Sequence, residues 1–173
     1  MRNPQLALAL TKALRARPER PGERRVVLLG VGSELRGDDA AGVRVAERMA
    51  DLALPGVWAL AAGPAPENLT GEVRRISPSH LIIVDAADMG EAPGTIRVVG
   101  LQEISGMSFG THALPLSVLA GYLANETGCM ITVMGIQPLS LEFDAGLSPE
   151  VGRAVDEAVQ ALSQCLGEPD DPR

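Results

Sequence analysis

Apolar residues in this chain alternate between short unbroken runs and stretches with helical spacing. Leu6, Leu10 and Leu14 recur every four residues after Asn3 and Pro4, which predicts a short amphipathic helix starting there and ending near Arg17. Residues 18–25 are charged and carry Pro and Gly, so residues 1–24 read as a helix and linker appended to the main domain. Val26-Val27-Leu28-Leu29 is a buried strand by pattern, followed by a glycine-rich turn. A helix comes next, with Ala40, Ala41, Val43, Val45, Ala46 and Met49 on its apolar side. Leu54-Pro55-Gly56 breaks the chain before a second strand over 57–61, and Pro66 opens a short helix over 66–76.

His80-Leu81-Ile82-Ile83-Val84-Asp85 is an unbroken apolar run ending in a carboxylate, as expected of a strand covered on both faces. A further strand is predicted over 95–99. The nine residues between, 86–94, are too few for a crossover helix, so it should run antiparallel at an edge. A helix introduced by Thr111-His112-Ala113-Leu114-Pro115 and running to about Glu126, a strand over 131–134 and a helix over 148–166 complete the chain, with a frayed tail at 168–173. Strands alternating with helices give an α/β three-layer sandwich: a mostly parallel twisted sheet of about five strands with an antiparallel edge strand, and helices on both faces. Residues 25–167 form the single domain.

Composition narrows the class. Of 173 residues 46% are hydrophobic but only 2% aromatic, so the core must be built from Ala, Val, Leu and Ile. A net charge of −7 argues against nucleic acid and against an anionic membrane surface as partners. No run approaches the ~20 apolar residues of a membrane span, and Leu6 to Leu10 is too short for a signal-peptide core. Cys129 and Cys165 form no C-x-x-C pair and read as free thiols of a reducing cytoplasm, the expected compartment.

The glycine-rich turn invites a phosphate-cradle reading, and its residues oppose one. G-x-G-x-x-G would need glycine at Leu35, and Lys12 is the only lysine, so there is no G-K-S/T. The turn also carries Glu34, Asp38 and Asp39, which repel an anion and attract a metal ion or proton. Ligands of open α/β sheets bind beyond the carboxyl ends of the strands. Asp38 and Asp39 follow the first strand, and Asp85 ends the third. His80 begins that third strand, roughly 16 Å away on the opposite edge, and reads as a surface or capping residue. His112 lies in a loop free to reach the carboxyl edge. Asp39, Asp85 and His112 make an O, O, N set suited to a divalent transition metal, or a carboxylate pair assisted by an imidazole. Between Asp38 and Asp39 one acid caps the helix and the other is the ligand. Asp38 is assigned the cap and Asp39 the ligand role, an order for which physics alone gives no strong ground. Asp88, Glu91, Glu142 and Asp144 read as solvated loop acids.

Gly30-Val31-Gly32-Ser33-Glu34-Leu35-Arg36-Gly37-Asp38-Asp39-Ala40-Ala41-Gly42, the segments 80–90 and 111–117, and Met134-Gly135-Ile136-Gln137-Pro138 together resemble the hydrogenase maturation endopeptidases, in particular the hydrogenase 3-type branch. The likeness runs in order from about residue 26 to 160, with Ser33 where the usual motif has Asn. It implies a cytoplasmic α/β endopeptidase that removes the C-terminal extension of a [NiFe] hydrogenase large-subunit precursor after nickel insertion. It also implies that Asp39, Asp85 and His112 are the metal-contacting positions, with Asp39 and Asp85 catalytic, and that the metal is nickel carried by the substrate. The turn at Gly135 and Gln137 is then expected to bind the extension's backbone. Two alternatives stand beside this reading: a metal-independent aspartic-type peptidase, and a non-enzymatic nickel-binding chaperone.

Overall fold

The computed structural model describes residues 3–15, 24–109 and 115–167. Six strands are present: β1 (Val26–Val31), β2 (Val57–Gly63), β3 (His80–Asp88), β4 (Ile96–Gly100), β5 (Ser108–Phe109) and β6 (Met130–Ile136). The helices are α1 (Pro4–Arg15), α2 (Ala41–Asp51), α3 (Thr70–Ile76), α4 (Leu116–Thr127) and α5 (Pro149–Gly167). The main sheet has the order β2-β1-β3-β6-β4. Its first four strands are parallel and β4 is antiparallel to β6 at the edge. The expected architecture is therefore the observed one.

Apolar side chains of β1 and β3 alternate between two cores, which is why both strands are buried along their apolar runs. Val26, Leu28, Ile82 and Val84 face α1, α2 and α5; Val27, Leu29, Leu81 and Ile83 face α3 and α4. Helix α1, expected as an appendage, packs on α5 and β4. Leu6 and Leu10 join the first core, each worth about 2 kcal/mol of burial. Asn3 Oδ1 caps the helix by accepting the Leu6 N–H at 3.0 Å.

Several local details differ from the pattern reading. The stretch 66–76 divides into a 3-10 turn at Pro66–Leu69 and then α3. Strand β3 continues three residues past Asp85, because Ala87 and Asp88 pair antiparallel with Phe109 and Ser108 of β5. Neither β5 nor the 3-10 turn Leu101–Gly106 has a periodic signature. Helix α4 begins after Pro115, as expected; residues 110–114 and the tail 168–173 lie outside the described residues.

Candidate active site

The site is built where β1 hands over to α2. Gly32 takes φ +132°, and a Cβ there would stand 1.8 Å from the Asp39 carbonyl oxygen. A Cβ on Gly42 would stand 2.1 Å from the Val84 carbonyl oxygen. Only glycine permits either approach. With those side chains absent, the 3-10 turn Gly37–Ala40 lies down on the carboxyl ends of β1 and β3. Register puts Gly30 beside Val84, so Asp85 is one residue beyond the pairing with β1 and at the same rim as Asp38 and Asp39.

The two neighbouring aspartates do different work. Asp38, 1% exposed, accepts the Leu139, Ser140 and Ser148 backbone N–H groups at 2.8, 3.1 and 2.6 Å, and the Ser148 hydroxyl at 2.9 Å. Its own N–H donates to the Ser140 carbonyl. The cap role expected of Asp38 is not the one it plays: it makes no side-chain cap and instead ties the 139–148 loop to the rim. The reason is that the loop delivers three backbone donors to one buried carboxylate, while the following helix turn makes no side-chain cap.

Asp39, 5% exposed, accepts the Ser33 N–H through Oδ2 at 2.8 Å, while its Oδ1 is buried with no hydrogen-bond partner among the described residues. Leaving a buried acceptor unmatched costs about 1–3 kcal/mol, and more for a charged one. A carboxylate oxygen in that position is a donor of the type that divalent cations take. Ser33 keeps the turn closed by accepting the Leu35 N–H at 3.3 Å. Asp85 is fully buried in β3, paired in register with Gly135 of β6.

His112 lies outside the described residues. The described chain stops at Phe109, paired with Ala87 two residues past Asp85, and resumes at Pro115 ahead of α4. Among the described residues no three His, Cys, Asp or Glu side chains converge as a metal-binding group.

Gly135 and Gln137 are both committed within the protein. Gly135 is laddered between Asp85 and Arg97, and a Cβ there would meet the Met107 methyl at 2.3 Å. Gln137 is buried. Its Oε1 accepts the Met89 and Glu91 N–H groups, its Nε2 donates to Asp88, and its main chain bonds Thr95 and Gly94. It staples the 88–91 turn to the rim. Asp88 thus has a partner in Gln137, and Glu91 pairs with Arg97.

Two further residues were not legible as they stand. Glu67, in the 3-10 turn after β2, holds a buried Oε2 with no hydrogen-bond partner at the same edge of the sheet. Its only sequence signal is its place after a strand. His80 sits at the opposite edge as expected, but it is buried, not on the surface. Its Nε2 lies 2.7 Å from the Thr132 hydroxyl, and burial lowers its pKa to about 4.

A family model described as hydrogenase maturation protease matches residues 43–165. The chain belongs to the hydrogenase maturation proteases. It is 39% identical to the hydrogenase 3 maturation protease of Escherichia coli over 138 residues, covering 79% of this chain and 87% of that one. It is 31% identical over 153 residues to a putative hydrogenase maturation protease of Methanocaldococcus jannaschii, covering 84% and 90%. The crystal structure of a [NiFe] hydrogenase maturation protease from Thermococcus kodakarensis superposes with a TM-score of 0.81 at 29% identity, covering 92% of this chain and 99% of that chain. This maturation protease is a peptide-bond hydrolase, which sets aside the non-enzymatic alternative, and its family implies a hydrogenase large subunit as substrate. No described helix is long and apolar enough to cross a membrane.

Proposed function

We propose that this protease removes the C-terminal extension of a [NiFe] hydrogenase large-subunit precursor, and does so only after nickel has been inserted. Asp39, Asp85 and His112 grasp the nickel that the substrate carries, so a precursor without nickel lacks the central contact. The observation that supports this most is the Asp39 carboxylate: one oxygen is pinned by Ser33 N–H and the other is buried with no donor among the described residues. A carboxylate with a hydrogen-bond partner on both oxygens, as in Asp38, has no comparable vacancy for a ligand.

In this reading the two rim carboxylates are also the catalytic groups. One takes a proton from water as the water oxygen attacks the scissile carbonyl, which the nickel polarises; the C–N bond breaks and the proton passes to the leaving amine. Gln137 and Asp38 act at one remove, fixing the two loops that frame the cleft. The expected compartment is the cytoplasm, where the precursor is assembled.

The test is to incubate the purified protein with its cognate precursor, nickel-loaded or nickel-free, and weigh the products. Loss of the extension from the nickel-loaded form alone supports the reading. Equal cleavage of both forms would favour a metal-independent aspartic mechanism, and cleavage of neither would overturn the assignment.

A further inference from the structure

Large exposed apolar side chains occur across this surface, but at one place three of them stand on two loops that are bonded to each other. Leu35, Leu139 and Phe143 are 59%, 58% and 74% exposed. The Asp144 N–H donates to the Leu35 carbonyl at 2.8 Å, and Asp38 holds the Leu139 N–H at 2.8 Å. A Cβ on Gly37 would stand 2.7 Å from the Ser140 carbonyl oxygen, so the loops interlock without room for a side chain. The fold therefore spends a buried carboxylate and a glycine on holding exposed apolar groups in place. Clustered exposed apolar side chains with a polar surround are a mark of interaction surfaces.

Resting on the function proposed above, we infer that Leu35, Leu139 and Phe143 form a docking surface for the body of the precursor, apart from the nickel and the scissile bond. The surface is continuous with the cleft: Leu35 lies four residues before Asp39, and the 139–148 loop leaves the rim directly after Gln137. Its chemistry specifies the partner. Glu142 and Asp144 flank Phe143, are exposed, and form no ion pair among the described residues, whereas Glu34 is occupied by Arg44 at 2.9 Å. The matching face presents apolar side chains bordered by basic ones. A second copy of this chain is a poor match, because it would press the same acids against each other.

The experiment measures steady-state processing of nickel-loaded precursor by the wild-type protein and three variants. The double variant L139S/F143S should raise KM about tenfold or more, as removal of central apolar anchors does, with kcat at saturation within twofold. The variant E142K/D144N should raise KM several-fold and weaken the salt dependence of KM; Asn is chosen at 144 because that residue has φ +59°. Leu8→Ser, at an equally exposed site on α1, should leave KM unchanged. If both rim variants keep the wild-type KM while the wild type cleaves, the docking surface is refuted and the proposed function stands. If the wild type fails to cleave, the function and the docking surface fall together. A wild-type dimer that becomes monomeric in L139S/F143S by sedimentation would overturn the inference in favour of self-association.

Discussion

The two rims of the sheet each bury a polar side chain at a strand end, and they treat it in opposite ways. At the amino rim, His80 is sealed and meets the Thr132 hydroxyl, so its hydrogen bonding is completed inside the protein. At the carboxyl rim, Asp39 is sealed just as deeply, yet one of its oxygens has no donor among the described residues. Burial and polarity are shared by both, so neither property marks the active site. What distinguishes the rims is whether the bonding is closed. The same contrast holds one residue apart, where among the described residues Asp38 accepts four donors and Asp39 one.

The most severe expected loss comes from Asp85→Asn. The change is nearly isosteric and removes the charge at the centre of the rim. Processing of nickel-loaded precursor should become undetectable by mass spectrometry, while the far-ultraviolet circular dichroism spectrum stays that of the wild type. A variant that still cleaves at the wild-type rate would remove Asp85 from the chemistry and with it the distinction between the rims.

Asp38→Asn should do less to the reaction and more to the fold. An amide has one acceptor oxygen where the carboxylate has two, so at least one buried backbone N–H among Leu139, Ser140 and Ser148 loses its partner. The expected cost is about 2 kcal/mol in urea unfolding. Because the chemistry at Asp39 is untouched, the loss in processing should appear mainly in KM as the 139–148 loop slackens. A variant with wild-type stability and no kcat would mean that Asp38, not Asp39, is the reactive acid.

Much of this was legible before any coordinates. The strand Val26–Val31 and the run ending at Asp85 declare themselves because both are covered on two faces, which leaves an unbroken apolar signal. The rule that ligands gather at carboxyl ends then selects the Asp38–Asp39 pair, Asp85 and His112 as candidates. The division of labour between Asp38 and Asp39 was not available from physics, because it depends on a loop more than a hundred residues away that brings its N–H groups to one acid. The partners of Gln137 are hidden for the same reason: its side chain serves Met89 and Glu91, about fifty residues earlier. Strand β5 is two residues long and too short to carry a period. His80 escaped because a strand-end position says nothing of the Thr132 hydroxyl opposite.

His80→Ala bears on the amino rim alone, and its effect on the reaction should be the smallest. At neutral pH the variant should process nickel-loaded precursor at the wild-type kcat. It should still be about 1–3 kcal/mol less stable, because the Thr132 hydroxyl and the surrounding side chains lose a partner. Acid should separate the two proteins further, in a direction set by the sign of the shift. Burial lowers the His80 pKa from 6.5 to about 4. Between those values the unfolded chain binds a proton that the folded chain refuses, so stability falls as pH drops from 6.5 towards 4. The wild type should lose about 3 kcal/mol from this group across that window. His80→Ala has no such proton to take up, so its stability should fall less steeply there, and the two curves should converge in acid. Parallel curves from urea titrations at pH 7, 5.5 and 4 would mean that His80 is not held neutral by its burial. A loss of kcat at pH 7 would mean that the two rims communicate, and that closed hydrogen bonding at one edge is part of what holds the other open.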